Sequence, residues 1–312
     1  MTEPTILARA EEFIWSNARL LERRLFAHLF KGAPAEPVRA ALYAYQNADG
    51  GFGNALEPDK RCADSQPIDQ ELALHVLADL GADPVVLGRM CDFLVTISTA
   101  EGGVPFVLPT VRSAPRAPWW NTDDNPPASL NPTASIAGLL YKHGFQHAWL
   151  DRAADYCWNS IEASPLDEPH LLVAILTFLE NAPDQPRARR AFERLATSLF
   201  EHNLVEIDPD IEGYVKMPLD YAPTPQSWCR RLFSDEVIAE HLAALTARQQ
   251  PDGGWPITWP AVSPACEVEY RGIVTLGALR TLRAYGQLGG AEGTILGVDG
   301  APSLYAKNPM SC

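Results

Sequence analysis

The sequence predicts an all-α fold assembled from helical hairpins, and three observations lead there. A heptapeptide recurs: Gln46-Asn47-Ala48-Asp49-Gly50-Gly51-Phe52 returns as Gln249-Gln250-Pro251-Asp252-Gly253-Gly254-Trp255. Between them, Ser98-Thr99-Ala100-Glu101-Gly102-Gly103-Val104 keeps the acid, the paired glycines and the apolar residue at the same offsets. Each copy follows a run (37–46, 84–97 and 235–249) with apolar residues at three- and four-residue spacing. Each precedes a Pro-rich insert and a second helical run that stops at glycine: 68–80 before Gly81, 132–143 before Gly144, and 269–285 before Gly286. The predicted unit is therefore helix, turn, insert, helix, glycine.

The turn has a physical reading. Paired glycines permit positive φ and close passage, and the preceding acid accepts backbone N–H bonds from the turn. Asp49, Glu101 and Asp252 are thus expected as structural staples, with Phe52 and Trp255 packing on the next hairpin.

The remaining segments extend the pattern. Residues 5–30 alternate Arg19, Glu22, Arg23 and Arg24 with Leu20, Leu21, Leu25 and Phe26, which predicts an amphipathic N-terminal helix within 1–33 rather than a signal peptide. Segments 148–161 and 168–181 read as a hairpin without the motif, Asp167 and Glu168 favouring a helix start. Residues 187–200 form a strongly charged, hence outer, helix. The long stretch 203–233 holds Pro209, Gly213, Pro218, Pro223 and Pro225 together with Tyr214, Met217, Tyr221 and Trp228, and is expected as an ordered cap. No internal boundary is expected in 1–312, read as one domain.

Composition narrows the classes. With 46% apolar residues the chain can bury a sizeable core. No apolar run reaches the roughly 18 residues of a membrane span, and a cytoplasmic location is expected. A net charge of −14 argues against a nucleic-acid partner, which demands clustered Lys and Arg. Cys62, Cys91, Cys157, Cys229, Cys266 and Cys312 form no Cys-x-x-Cys pair and are expected as reduced, mostly structural thiols. Nucleophile-elbow, phosphate-loop and nicotinamide fingerprints are absent from the sequence.

If outer and inner helices alternate, the inserts 53–67, 105–131, 203–233 and 256–267 gather at one end, beside the positive N-termini of the inner helices. The first insert places Glu57, Asp59 and Asp64 beside Lys60 and Arg61. Asp64 or Ser65 is the expected cap of the helix near Pro67, whereas Glu57 and Asp59 are candidate catalytic carboxylates able to divide acid and base roles. The second insert holds Trp119, Trp120, Asn121, Asp123 and Asp124, then Asn131-Pro132. Two indoles beside two acids suit a site where π faces stabilise a cation and an acid moves a proton. The alternative is a solvated Asp-Asp-Asn turn, with Asn131 capping a helix that begins at Pro132. The third insert offers Trp255 and Trp259, leading to Glu267, Glu269 and Arg271 at the last helix start. The acids there complement the helix dipole, and Arg271 either meets an anion or pairs with Glu267. Tyr221, Trp228, Trp255, Trp259, Asn121, Asn131, Glu267 and Arg271 join Trp119 and Trp120 as candidate substrate contacts.

The pattern Gln-x-x-Asp-Gly-Gly-aromatic between paired helices resembles the repeat of the terpenoid cyclase and protein prenyltransferase superfamily. The resemblance implies an (α/α)6-type toroid, with inner helices around a cavity and outer helices surrounding them. Asn121-Thr122-Asp123-Asp124 resembles that family's Asp-x-Asp-Asp motif, which implies Asp123 as proton donor and Asp124 as its partner, although Asn121 stands at the first acid. Asp155-Tyr156-Cys157 superficially matches the zinc-ligand pair of the prenyltransferases, but helical spacing points the two side chains apart, and the expectation is no metal and no cofactor. Mg²⁺ enters only if the substrate is a diphosphate.

Three functions of different classes follow. The leading expectation is a terpenoid cyclase-like isomerase or lyase, starting acid-initiated chemistry on an isoprenoid or other largely apolar small molecule. The alternative is a carbohydrate-active enzyme using paired carboxylates such as Glu57 or Asp59 with Asp123. The third is a noncatalytic binding module.

Overall fold

The computed structural model describes residues 4–211 and 213–288, so Cys312 lies outside the described residues. The described residues are helical and form no named strand, only three isolated bridges. The helices in chain order are α1 (Ile6–Asn17), α2 (Leu20–Lys31), α3 (Glu36–Tyr43), α4 (Pro67–Leu80), α5 (Pro84–Ile97) and α6 (Leu130–Lys142). They continue as α7 (Ala148–Ala163), α8 (Pro169–Asn181), α9 (Gln185–Glu201), α10 (Pro218–Tyr221), α11 (Asp235–Ala247) and α12 (Pro264–Ala284). The expected N-terminal helix is two helices, because Ala18 and Arg19 are extended. Two compact units emerge within the described residues: one takes the chain up to Ala41 and from Val205 on, the other Leu42–Leu204.

In the Leu42–Leu204 unit, α6 lies between α4 and α8, with α7 against α6 and α5, and α9 against α8. Every residue of α6 from Leu130 to Leu140 is buried, as an interior helix requires. A methyl group on Gly138 would collide with the Thr177 carbonyl, so glycine sets the close approach of α6 to α8. Helix α9, by contrast, buries one stripe (Ala188, Phe192, Leu195, Leu199) and exposes its charges, as an outer helix does. Glu168 caps α8, its carboxylate accepting from the N–H groups of His170 and Leu171.

In the other unit, α12 packs against α1, α2 and α11, and α10 against α11. The segment expected as a cap is tied to α11: His241 Nε2 lies 2.9 Å from the Ile207 carbonyl, and Arg248 donates to the Pro209 carbonyl at 2.7 Å.

The three repeats share one turn. Gly51, Gly103 and Gly254 each accept through the carbonyl from Asn47, Thr99 and Gln250, at 2.8, 2.9 and 2.8 Å. Asp49 and Asp252 accept from the N–H of the second glycine at 2.9 and 3.0 Å, and Gln46 and Gln249 donate to the first glycine's carbonyl, both at 2.9 Å. Asp49, Asp252, Gln46 and Gln249 are therefore staples, whereas Glu101 is exposed and hydrogen-bonds with the Thr99 side chain. Each turn also docks on another helix: side chains added to Gly50 and Gly51 would strike Arg89 and Phe93, those on Gly102 and Gly103 would strike Arg152 and Tyr156, and those on Gly253 and Gly254 would strike Arg9 and Phe13. The receiving helices are α5, α7 and α1, and each presents arginine followed four residues later by an aromatic ring, one helical face.

Candidate functional site

The first two inserts meet. A bridge pairs Lys60 with Arg116, Ala117 N donates to the Asp59 carbonyl at 2.8 Å, and Arg61 N to the Pro115 carbonyl at 2.9 Å. At this junction the first insert carries its charges inward. Glu57, Asp59, Lys60 and Asp69 are 2%, 1%, 0% and 0% exposed. Charged side chains are almost never so deeply buried unless they are paired. Lys60 Nζ donates to Asp69 Oδ2 at 2.5 Å, and Glu57 N donates to Asp69 Oδ1 at 2.9 Å. Glu71 and His75, one turn apart on α4 and 3.9 Å from each other, are buried as well.

Helix α4 organises this region through three residues of its start. Gln66 accepts from Leu108 N and donates to Thr110 Oγ1, both at 2.8 Å, which holds the second insert. Asp69 holds the first. Gln70 exchanges two bonds of 2.9 Å with the backbone of Phe52, which holds the exit of the motif turn. Val104 and Trp255 are held likewise, their N–H groups donating to Thr133 and Thr275 at 3.0 Å.

Asp64 and Ser65 do not cap α4 as expected. Gln66 is the residue at the cap position, with no capping bond from its side chain, and Ser65 donates instead to Asp49 at 2.8 Å. Asn131 is buried but extended (φ −99°, ψ 110°), so regular helix begins at Pro132 as expected, and the capping side chain is that of Ser129. The thiol of Cys62 is pushed up by burial, an effect the Lys60 ammonium partly offsets.

The second insert turns its acids outward. Asp123 and Asp124 are exposed, and Asp124 pairs with Arg112. Asn121, also exposed, accepts from Arg116 at 2.9 Å. The arrangement is that of the solvated turn, because nothing desolvates Asp123 as a buried proton donor would require. Trp120 is buried and stacked on Phe106 (5.0 Å, 17°), while Trp119 is half-buried. Lys60 Nζ lies 5.9 Å from the Trp120 ring centroid. An ammonium already beside that ring makes it a poor place for a second cation.

The remaining candidates belong to the unit containing α12. Arg271 meets the anion of the motif turn, donating to Asp252 Oδ1 at 2.7 Å and to the Trp255 carbonyl at 3.2 Å, with its guanidinium 4.6 Å from the Phe13 ring. This hydrogen bond is the first cause of a lowered Asp252 pKa. Glu267 is exposed in the first turn of α12. Trp255 is buried and donates through Nε1 to the Leu245 carbonyl at 2.7 Å, an anchor rather than a free platform. Trp259 packs edge-on against Tyr270 (5.0 Å) and Tyr214 (6.0 Å). Tyr221 is buried in α10, and Trp228 is half-buried in the short helical turn Trp228–Leu232.

Sequence reasoning missed Lys60 as a buried member of the cluster and missed Asp69, Gln66 and Gln70 altogether. A signal was available: Gln66-Pro67-Ile68-Asp69-Gln70-Glu71 crowds polar groups at the start of a helix expected to be inner. Cys157 is buried in α7 while Asp155 is exposed. No protein-family model matches the chain, and no curated protein matches it in sequence. Among the described residues no helix is long and apolar enough to cross a membrane.

Proposed function

We propose that the chain is a small-molecule enzyme of the α/α-hairpin class, with its hairpins closed into a toroid and its acid–base centre at Glu57 and Asp59. The substrate is a polar, carbohydrate-class molecule. The observation that carries this reading is the burial of Glu57, Asp59, Lys60 and Asp69 where two inserts join, with Asp69 bonded to Lys60 Nζ and to the Glu57 backbone N–H. Burying charge is costly, and active sites are where buried titratable groups cluster for proton transfer. Two neighbouring carboxylates in an enclosed site can divide into an acid and a base. A hydroxyl-bearing substrate suits carboxylates and an ammonium better than a hydrocarbon does, since each hydroxyl both donates and accepts. The toroid is the arrangement that the resemblance of the repeat implies, and within each unit the motif turns dock on a helix of another hairpin in the same way. The reading includes no cofactor, and cytoplasmic location is part of it.

Terpenoid cyclase-like chemistry on an isoprenoid is the second reading, favoured by the edge-on cluster of Tyr214, Trp259 and Tyr270. The purified chain is offered oligosaccharides, isoprenoid diphosphates and terpene hydrocarbons, with native mass spectrometry and product analysis as readouts. We expect a sugar to be retained and converted, and conversion to fall about a hundredfold in E57Q or D59N with circular dichroism unchanged. Conversion of an isoprenoid alone, or full activity in both variants, overturns the carbohydrate reading.

A further inference from the structure

We infer that Asp69 is the positioning residue of the Glu57–Asp59 centre, gripping the turn that bears both carboxylates. The inference rests on reading that centre as catalytic. An acid in a helix's first turn ordinarily serves the free N–H groups and the dipole of its own helix. Asp69, the third residue of α4, instead sends one oxygen to Glu57 N and the other to Lys60 Nζ. These are the two ends of a four-residue turn, closed by Lys60 N donating to the Glu57 carbonyl at 3.4 Å. Asp59 lies between the ends, and its carbonyl is held from the other side by Ala117 N at 2.8 Å. Both candidate carboxylates therefore hang from a turn whose backbone is held at Glu57 N and at the Asp59 carbonyl, with the Lys60 side chain tied to Asp69 at its far end.

The rest of the first turn is spent the same way. Gln66, at the cap position, contributes no capping bond and holds Leu108 and Thr110 instead. A helix start that forgoes side-chain capping in order to grip two inserts makes sense if the placement of those inserts matters more than the helix end. Acid–base chemistry has that requirement, because groups must be held to about half an ångström. Asp69 also faces the Lys60 charge, so the ammonium has a fixed partner.

The test compares wild type with D69N and D69N/K60M, using a water-soluble carbodiimide and glycinamide, with coupling sites mapped by mass spectrometry. The amide introduced by D69N keeps an oxygen for Glu57 N but no charge for Lys60, whereas the double variant removes both charges of the Lys60–Asp69 pair. In D69N, coupling at Glu57 and Asp59 is expected to rise about tenfold or more, as local opening predicts, while Asp49, Glu168 and Asp252 keep their wild-type rates. The double variant falls between the two. Wild-type coupling at Glu57 and Asp59, or a rise at all carboxyl groups together, overturns the inference. If D69N fails to fold, the double variant is compared with wild type by the same criterion. On a converted sugar, D69N lowers kcat while KM stays within about twofold, the mark of lost positioning rather than lost binding. Selective coupling without conversion of any sugar keeps the grip and discards the catalytic reading.

Discussion

Gly253 lies against the Arg9 carbonyl so closely that a methyl group added to it would overlap that oxygen. The contact joins residues 244 positions apart and repeats the docking of Gly50 on Arg89 and of Gly102 on Arg152. Gly253 also has φ +89°, a conformation side chains rarely adopt.

Gly253→Ala should therefore combine backbone strain with a steric clash, and we expect a loss exceeding about 2 kcal/mol in urea unfolding. Gly144→Ala is the control. Gly144 has φ +62° but open space where its Cβ would be, so its loss should stay near 1 kcal/mol. Equal losses would show that the docking contact contributes nothing.

Lys60→Met should cost about 3–5 kcal/mol, because it strands the Asp69 carboxylate in the interior. Adding D69N should recover most of that loss. A double-mutant cycle measured by chemical unfolding checks this, and additive single losses would contradict the pairing.

Alkaline pH should destabilise the fold through its buried thiols. Burial pushes Cys91 up from 9.0 to about 12 and raises Cys157 too. Thiols of the unfolded chain ionise near the ordinary value while the folded ones stay neutral. The stabilisation is complete below pH 9 and is lost as pH rises towards 12, at about 1.4 kcal/mol per pH unit per thiol. Thermal melts of C91A/C157A between pH 9 and 11 should show a shallower decline than wild type.

Asp123→Asn should change stability by less than about 0.5 kcal/mol, as expected of an exposed position. It should also leave turnover of the converted substrate intact. Loss of turnover with unchanged unfolding would return Asp123 to the mechanism and favour acid-initiated isoprenoid chemistry.

Helices and their turns were legible because their causes are local. Periodicity placed 84–97 as the helix Pro84–Ile97 finds it, glycines marked the ends at Gly81, Gly144 and Gly286, and the repeated acid with paired glycines gave the same turn three times. The docking partners were harder to see, although Arg9 and Phe13, Arg89 and Phe93, and Arg152 and Tyr156 share one spacing. That spacing gains meaning only once the glycine backbone is against it.

Among the candidate acids the sequence put Asp123 and Asp124 ahead of Glu57 and Asp59, although each lies in a loop with tryptophan or lysine near. Which of them leave water depends on contacts far along the chain. Asp69 turns outward from α4 to take Glu57 and Lys60, and Ala117 takes Asp59, so the first insert is drawn in. The second insert is held through Leu108 and Thr110 and leaves Asp123 and Asp124 in solvent. Hydrophobic spacing and glycine conformation act within a few residues, so the linear order of side chains sufficed for the helical hairpins and the stapled turns. The choice of buried carboxylates needed the packed chain, because desolvation is set by whatever distant segments come to lie over them.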